Sequence, residues 1–383
     1  MLILALIIVH FLFAKLTGEW YNKIMLNPEK KPAGRANWPL VGNQQVSEFL
    51  SLSLKKKSIQ GTYIFVGPDN LGKSTVAYFF ARCLLCENQE SKQDTQPCNH
   101  CPSCLTLEKW QIQKRKENAE EHASIHGDLH ILRRNKEKKN IPVEEVRSFI
   151  RALGMSSFLG SYKIGIIKQS EALSQGAANA LLKTLEEPKA KVVIILVTKS
   201  LEALPATIVS RSQVLYFHPV EAAAIHDYLI SEHGTSRSQA KHLSRLALGR
   251  PALALKHLEN HEWHEKYLLR AKSFIDFVSS DINQRLSGIN DILSPQNKGQ
   301  AAAQEVKRVL EIWQGITRDW LLQKFNLDNR TQHQIFESEM NSGGNKITTT
   351  KLLILSSLLQ EAGKEIEANV SPQLVLQKIA ISF

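Results

Sequence analysis

The stretch GPDNLGKST at residues 67–75 restricts the possible folds more than any other feature of this chain. Gly67-x4-Gly72-Lys73-Ser74 has the spacing of a phosphate-binding loop. An apolar strand, YIFVG (63–67), enters it and a helical segment, STVAYFFARCLL (74–85), leaves it. Glycines let backbone N–H groups close around phosphate oxygens, and the helix N-terminus adds its partial positive charge. Lys73 is spaced to reach the β- and γ-phosphates of ATP and Ser74 to ligate magnesium. Gly67, Gly72, Lys73, Ser74 and Thr75 are therefore the candidate nucleotide-binding residues.

A loop of this kind follows a strand of a parallel sheet, and the rest of the chain supplies one. LHIL (129–132), KIGII (163–167), VVIILV (192–197) and VLYF (214–217) are short apolar runs of the kind that form strands buried on both faces. Helical patterns separate them, notably VEEVRSFIRAL (143–153) and AANALLKTLEE (177–187), the latter stopped by Pro188. Strands alternating with helices predict an α/β domain over residues 37–219. Beyond Pro219 the strand signal ends. A small helical unit is expected over 220–262 and a larger one over 263–383, with SGGN (342–345) as a loop. In the larger unit Val306, Val309, Trp313, Ile316 and Trp320 share one helical face. That stripe fits core packing better than a partner interface.

Hydrolysis asks for more than a phosphate cradle. The strand that carries the partner acid normally ends in a carboxylate that holds the metal, often with a second that orients water. Here KIGII is followed by Lys168 and Gln169. Glu171 comes only beyond the strand end, where it is expected to point elsewhere. Nucleotide binding with slow or absent hydrolysis is the expectation.

The five cysteines all lie between Cys83 and Cys104. Such clustering is unlike the spread of an extracellular disulfide framework and points to a metal site in a reducing compartment. Cys86-x11-Cys98-x2-Cys101-x2-Cys104 supplies four thiolates, which suits a structural tetrahedral zinc in an insert over residues 86–104. Iron–sulfur ligation and reduced free thiols are the alternatives. Cys83 reads as core. His122, His126 and His130 are spaced by four, but Gly127-Asp128 breaks any helix there, which argues against a second metal site.

The net charge of +11 suggests a polyanionic partner. Lys55-Lys56-Lys57 and RRNKEKK (133–139) are basic runs suited either to nucleic-acid phosphates or to solvated loops. The first 14 residues, MLILALIIVHFLFA, are apolar, yet shorter than the ~20 residues that span a bilayer and without a basic leader region. They are expected to lie outside the fold, with Met25 as an alternative start and residues 15–37 as a linker.

Taken together, the P-loop, the four-cysteine insert, ANALLKTLEEP (178–188) and LPATIVSRS (204–212) closely resemble bacterial AAA+ clamp-loader subunits of DNA polymerase III, and among them the delta-prime type. The resemblance runs from about residue 38 to 217. It continues more weakly through GRPALAL (249–255) and NVSPQLVLQKI (369–379). It implies that the four cysteines are zinc ligands, that 220–262 is a helical lid and that 263–383 is a collar for ring assembly. Ser210 and Arg211 match the family's SRC motif, with Ser212 in place of its cysteine. There the arginine reaches a neighbouring subunit's ATP in trans. Thr198 falls where the family's sensor 1 lies. The resemblance also implies gamma/tau- and delta-type subunits, the sliding clamp and primer–template DNA as partners, in the cytoplasm. The missing acids at Lys168 and Gln169 favour delta-prime over a gamma/tau-type ATPase. A membrane-tethered P-loop regulator is the alternative of another class.

Overall fold

The computed structural model describes residues 38–88, 96–117, 126–135, 138–157, 162–187, 189–293, 299–344 and 347–382, all within one compact unit from Trp38 onward. The expectations for residues 1–37, for His122 and for Pro188 lie outside the described residues.

Helix α1 (Gln44–Lys55) precedes strand β1 (Thr62–Val66), which feeds the P-loop and helix α2 (Lys73–Leu85). Helix α3 (Pro102–Glu117) begins within the cysteine segment and carries Cys104. Then come β2 (Leu129–Leu132), α4 (Val143–Gly154), β3 (Lys163–Lys168), α5 (Gln175–Glu186), β4 (Val192–Thr198), the single-turn α6 (Ala206–Val209) and β5 (Gln213–Tyr216). The five strands are parallel, in the order β2-β3-β4-β1-β5. Every residue of β1 and β4 is buried, which explains their unbroken apolar sequences. Ile64 and Val66 face the core made with α4 and α5. Their neighbour Tyr63 points the other way, edge-on to Phe80 of α2 at 5.3 Å.

The remainder is helical: α7 (Ala222–His233), α8 (Arg237–Leu246) and α9 (Pro251–Glu259), then α10 (His261–Ser279), α11 (Ile282–Ile292), α12 (Gln300–Lys324), α13 (Glu337–Gly344), α14 (Thr349–Glu367) and α15 (Pro372–Ser382). Val306, Val309, Trp313, Ile316 and Trp320 are all buried in the core that α10 and α14 share with α12. Trp313 stacks on Phe274 with centroids 4.6 Å apart, so the stripe is core. One expectation is corrected. Ser342, Gly343 and Gly344 lie inside α13, not in a loop. Tertiary contacts hold that helix, because Met340 is buried and its carbonyl accepts the Trp320 indole N–H at 3.1 Å. None of the helices among the described residues is long and apolar enough to cross a membrane.

Where α8 and α9 meet α10, histidines gather. His257 Nδ1 lies 2.9 Å from His264 Nδ1, and His242 packs against His264. Burial pushes His257 down to about 3 from 6.5, and the charges of His264, His242, Lys256 and Arg250 push the same way. Burial also lowers His242 and His264. The unfolded chain therefore binds more protons than the native one below about 6.5, so stability is full above that pH and is lost as pH falls toward 3. The melting temperature should drop between pH 7.5 and 5, and drop less in His257→Leu.

Candidate functional site

The P-loop closes at the carboxyl ends of β1 and β4, the usual crevice of an open parallel sheet. Gly67 donates its N–H to the Thr198 carbonyl at 3.3 Å. Its φ is +146°, and a Cβ there would stand 2.2 Å from the Phe217 carbonyl oxygen, so only glycine fits. Gly72 is left-handed, with φ +90°, at the start of α2. Lys73 is buried, and its ammonium donates to the carbonyls of Gly67 and Pro68, the latter at 2.6 Å. Burial lowers its pKa, while Asp69 and Glu171 work to raise it and Lys199 adds to the lowering.

The loop opens into a cleft of about 420 Å³ whose walls include Lys73, Ser74, Thr75, Lys168, Glu171 and Thr198. Arg133, the first residue of the second basic run, also lines it. Lys168 stands at the end of β3, as expected. Glu171 does not point elsewhere; it lines the cleft. The reason is local. Gln169 takes a left-handed backbone, φ +53°, and Ser170 Oγ donates to the Val197 carbonyl at 3.1 Å. That turn folds the chain back, and Glu171 Oε2 is left buried with no hydrogen-bond partner among the described residues. Thr198 is buried at the end of β4, its hydroxyl donating to the Ser200 carbonyl at 2.9 Å. Sequence reading missed Lys199, which joins Asp69 of the loop at 2.7 Å. It also missed Ala252, whose N–H donates to the Asn70 carbonyl at 3.0 Å and ties α9 to the P-loop.

Arg211 stands elsewhere. It is absent from the walls of this cleft and precedes β5, whose Gln213 pairs with Tyr63 at the start of β1. Gly67 is four residues further along β1, about 13 Å at ~3.3 Å per residue. Arg211 thus sits at the opposite end of the sheet from its own P-loop. Its exposed guanidinium meets Glu186 of α5 at 3.1 Å and the Thr207 carbonyl at 3.0 Å. Ser210 is also exposed, its hydroxyl on the Thr207 carbonyl.

The four expected sulfurs come together. Cys86, Cys98, Cys101 and Cys104 have Sγ atoms within 4.8 Å of one another. Backbone N–H groups of Cys98, Cys101 and Cys104 donate to the sulfurs of Cys86, Cys98 and Cys101 at 3.4, 3.3 and 3.4 Å. This set can bind a metal ion. Beside it Ser103 donates to Glu87 and lies 3.1 Å from His126 Nε2, so His126 supports the knuckle's rim. Cys83 is buried in α2, outside the set. His130 joins no metal-binding group among the described residues.

Residues 42–221 match a family model described as DNA polymerase III, delta subunit. DNA polymerase III subunit delta' of Bacillus subtilis is 26% identical over 344 residues, covering 88% of this chain and 94% of that protein. The Escherichia coli delta' subunit is 28% identical over 225 residues, 59% of this chain and 62% of that one. Bacillus subtilis subunit tau is 32% identical over 186 residues, 49% of this chain but 30% of tau. The chain thus spans less than two thirds of two of these relatives and nearly all of the third. A solved gamma subunit-related protein from Thermotoga maritima aligns at TM-score 0.45 and 18% identity, over 88% of this chain and 97% of that one.

Proposed function

We propose, from the premise that this chain belongs to the delta-prime clamp-loader family of DNA polymerase III, that it helps load a sliding clamp onto primed DNA by acting on a neighbouring subunit's ATP. The observation that carries this reading is the position of Arg211, exposed and at the far end of the sheet from its own P-loop. A guanidinium so placed serves a nucleotide only across a subunit interface. Its ion pair with Glu186 is exposed, worth at most about 1 kcal/mol, and yields readily to a phosphate.

The chain's own cleft is read as a binding site with little turnover. ATP with magnesium would be held by Gly67, Gly72, Lys73, Ser74 and Thr75, with Thr198 at the β4 end. Lys168 places positive charge where the metal's carboxylate is wanted, and Lys199 adds another cation. One observation favours a gamma/tau-type ATPase instead: Glu171 returns a single carboxylate to the cleft.

Cys86, Cys98, Cys101 and Cys104 would hold zinc. Sulfurs at ~2.3 Å from a tetrahedral zinc lie about 3.8 Å apart, and Cys98 and Cys104 are 4.0 Å apart here. A closed set of four sulfurs supplies a cross-link, not chemistry. Separate hydrophobic clusters among the described residues, one between the sheet and its helices, one within α7–α9 and one within α10–α15, support a division into nucleotide-binding domain, lid and collar.

The test is assembly. Mixed with gamma/tau- and delta-type subunits from the same cell, the chain should comigrate on size exclusion as a hetero-oligomer. A chain that stays alone at micromolar concentration would contradict the reading.

A further inference from the structure

A second cavity, of about 410 Å³, lies where α9 meets α10 and α12. Its walls share only Asn70 with the P-loop cleft, so the two are distinct. Cations converge on it from three helices: Arg250 and Lys256 from α9 and its cap, Arg270 from α10, Arg308 and Arg318 from α12. The carboxylate in the wall is Glu311. Glu305, behind it, is shared by Arg270 and Arg308, the latter at 3.4 Å, and Arg318 has Asp319 at 3.6 Å. Asp319 Oδ2 accepts from the backbone N–H groups of Gln332 and His333 and lies 2.9 Å from His333 Nδ1, while its Oδ1 has no hydrogen-bond partner among the described residues; five cations thus face three carboxylates. Positive charge is left over. Burial and then the charge of Arg308 lower both Lys256 and Arg270.

The floor carries an independent sign of a ligand. Gln332 is 5% exposed, and its amide N–H groups donate to the Leu246 carbonyl at 2.9 Å and the Tyr267 hydroxyl at 3.3 Å. Those partners fix the amide's orientation, and Oε1 has no partner among the described residues. Opposite it is Gly315, in the middle of α12, where glycine costs about 1 kcal/mol relative to alanine. A Cβ there would come 3.0 Å from Gln332 Oε1. A buried unpaired acceptor is unfavourable until a donor reaches it. A suitable occupant brings phosphate charge for the guanidinium groups and a hydroxyl or amine for Oε1, with Leu253, Ile312 and Trp263 as an apolar wall.

We propose that this cavity is a second nucleotide site, beyond the P-loop, that takes a nucleoside phosphate between the α9 and α12 cations and Gln332. The test is equilibrium dialysis of the full chain against labelled ADP, with melting curves to check that each variant is folded. Wild type should bind two ADP. Arg308→Glu with Arg318→Glu, both exposed side chains, should weaken one site tenfold or more and leave the other, whereas Lys73→Ala should affect only the other. ADP should compete for the second site at least tenfold better than inorganic pyrophosphate. Binding that the double charge reversal leaves unchanged, in one class or in two, overturns the proposal. Equal competition by pyrophosphate overturns the nucleoside assignment. A single-stranded oligonucleotide that binds through Arg308 and Arg318 where ADP does not would assign the cavity to nucleic acid and overturn it as well. Loss of the Lys73-dependent site alone would count against the P-loop reading and not against this one.

Discussion

Arg211→Ala should lower the DNA-stimulated ATP turnover of the reconstituted clamp loader by about 10³-fold, within the ~10³–10⁵ that an arginine finger contributes in GTPases. The effect belongs to the transition state. A guanidinium supplied across an interface meets charge that develops on the transferring phosphoryl group in a site from which water has been excluded. Stability should barely change, because Arg211 is 38% exposed and its partner Glu186 50% exposed. A surface change of this kind shifts stability by about 0.5 kcal/mol or less. The variant should also still assemble, since the helical core of α10–α15 is remote in sequence from residue 211. A fall in turnover with normal assembly and an unchanged melt separates a finger from a structural arginine. Arg211→Lys keeps the charge but loses the planar fork, and should recover only a small part of the rate.

Removing the metal should produce the largest change in stability. Structural zinc contributes about 10–16 kcal/mol of binding free energy in small zinc-folded peptides near neutral pH. Much of this insert's order rests on the four sulfurs and the N–H donors around them, since Cys86, Cys98, Cys101 and Cys104 form a small cluster of their own. Cys104→Ser replaces a fully buried thiol of the four-cysteine set. It should abolish stoichiometric zinc, measured by atomic emission on the purified chain, and expose the segment after Cys86 to protease. The sheet should survive, because its core contains none of these cysteines. Chelation of wild type should give the same cleavage pattern, and zinc should reverse it. A chain that purifies without zinc and resists protease equally in both forms would refute the metal site.

The sheet was legible because β1 and β4 are buried throughout and β2 and β3 nearly so, which makes LHIL, KIGII and VVIILV stand out as apolar runs whatever their neighbours. The P-loop and the cysteine set were legible because spacing alone fixes which atoms can converge. Four things were not. Helix α3, PSCLTLEKWQIQKRKE, has no apolar stripe to betray it. Glu171 was misplaced because the turn that returns it to the cleft depends on a left-handed glutamine, a conformation that sequence pattern does not announce for a residue other than glycine. The cavity around Gln332 is assembled from α9, α10 and α12, and its cations look like ordinary surface charge until the helices are packed. The same holds for SGGN, where glycines suggest a loop but Met340 and Trp320 hold a helix.

The central claim is that this chain acts on its neighbours' nucleotide and does not consume its own. Steady-state ATP hydrolysis by the isolated, zinc-replete chain with magnesium tests it most directly. With Lys168 at the strand end, turnover should be about 10⁻² s⁻¹ or slower, comparable to unassisted GTPases, and Lys73→Ala and Glu171→Gln should leave it unchanged. Turnover near ~1 s⁻¹, the low end of ordinary enzyme rates, that disappears in both variants would contradict the account and make Glu171 the acid of a working ATPase.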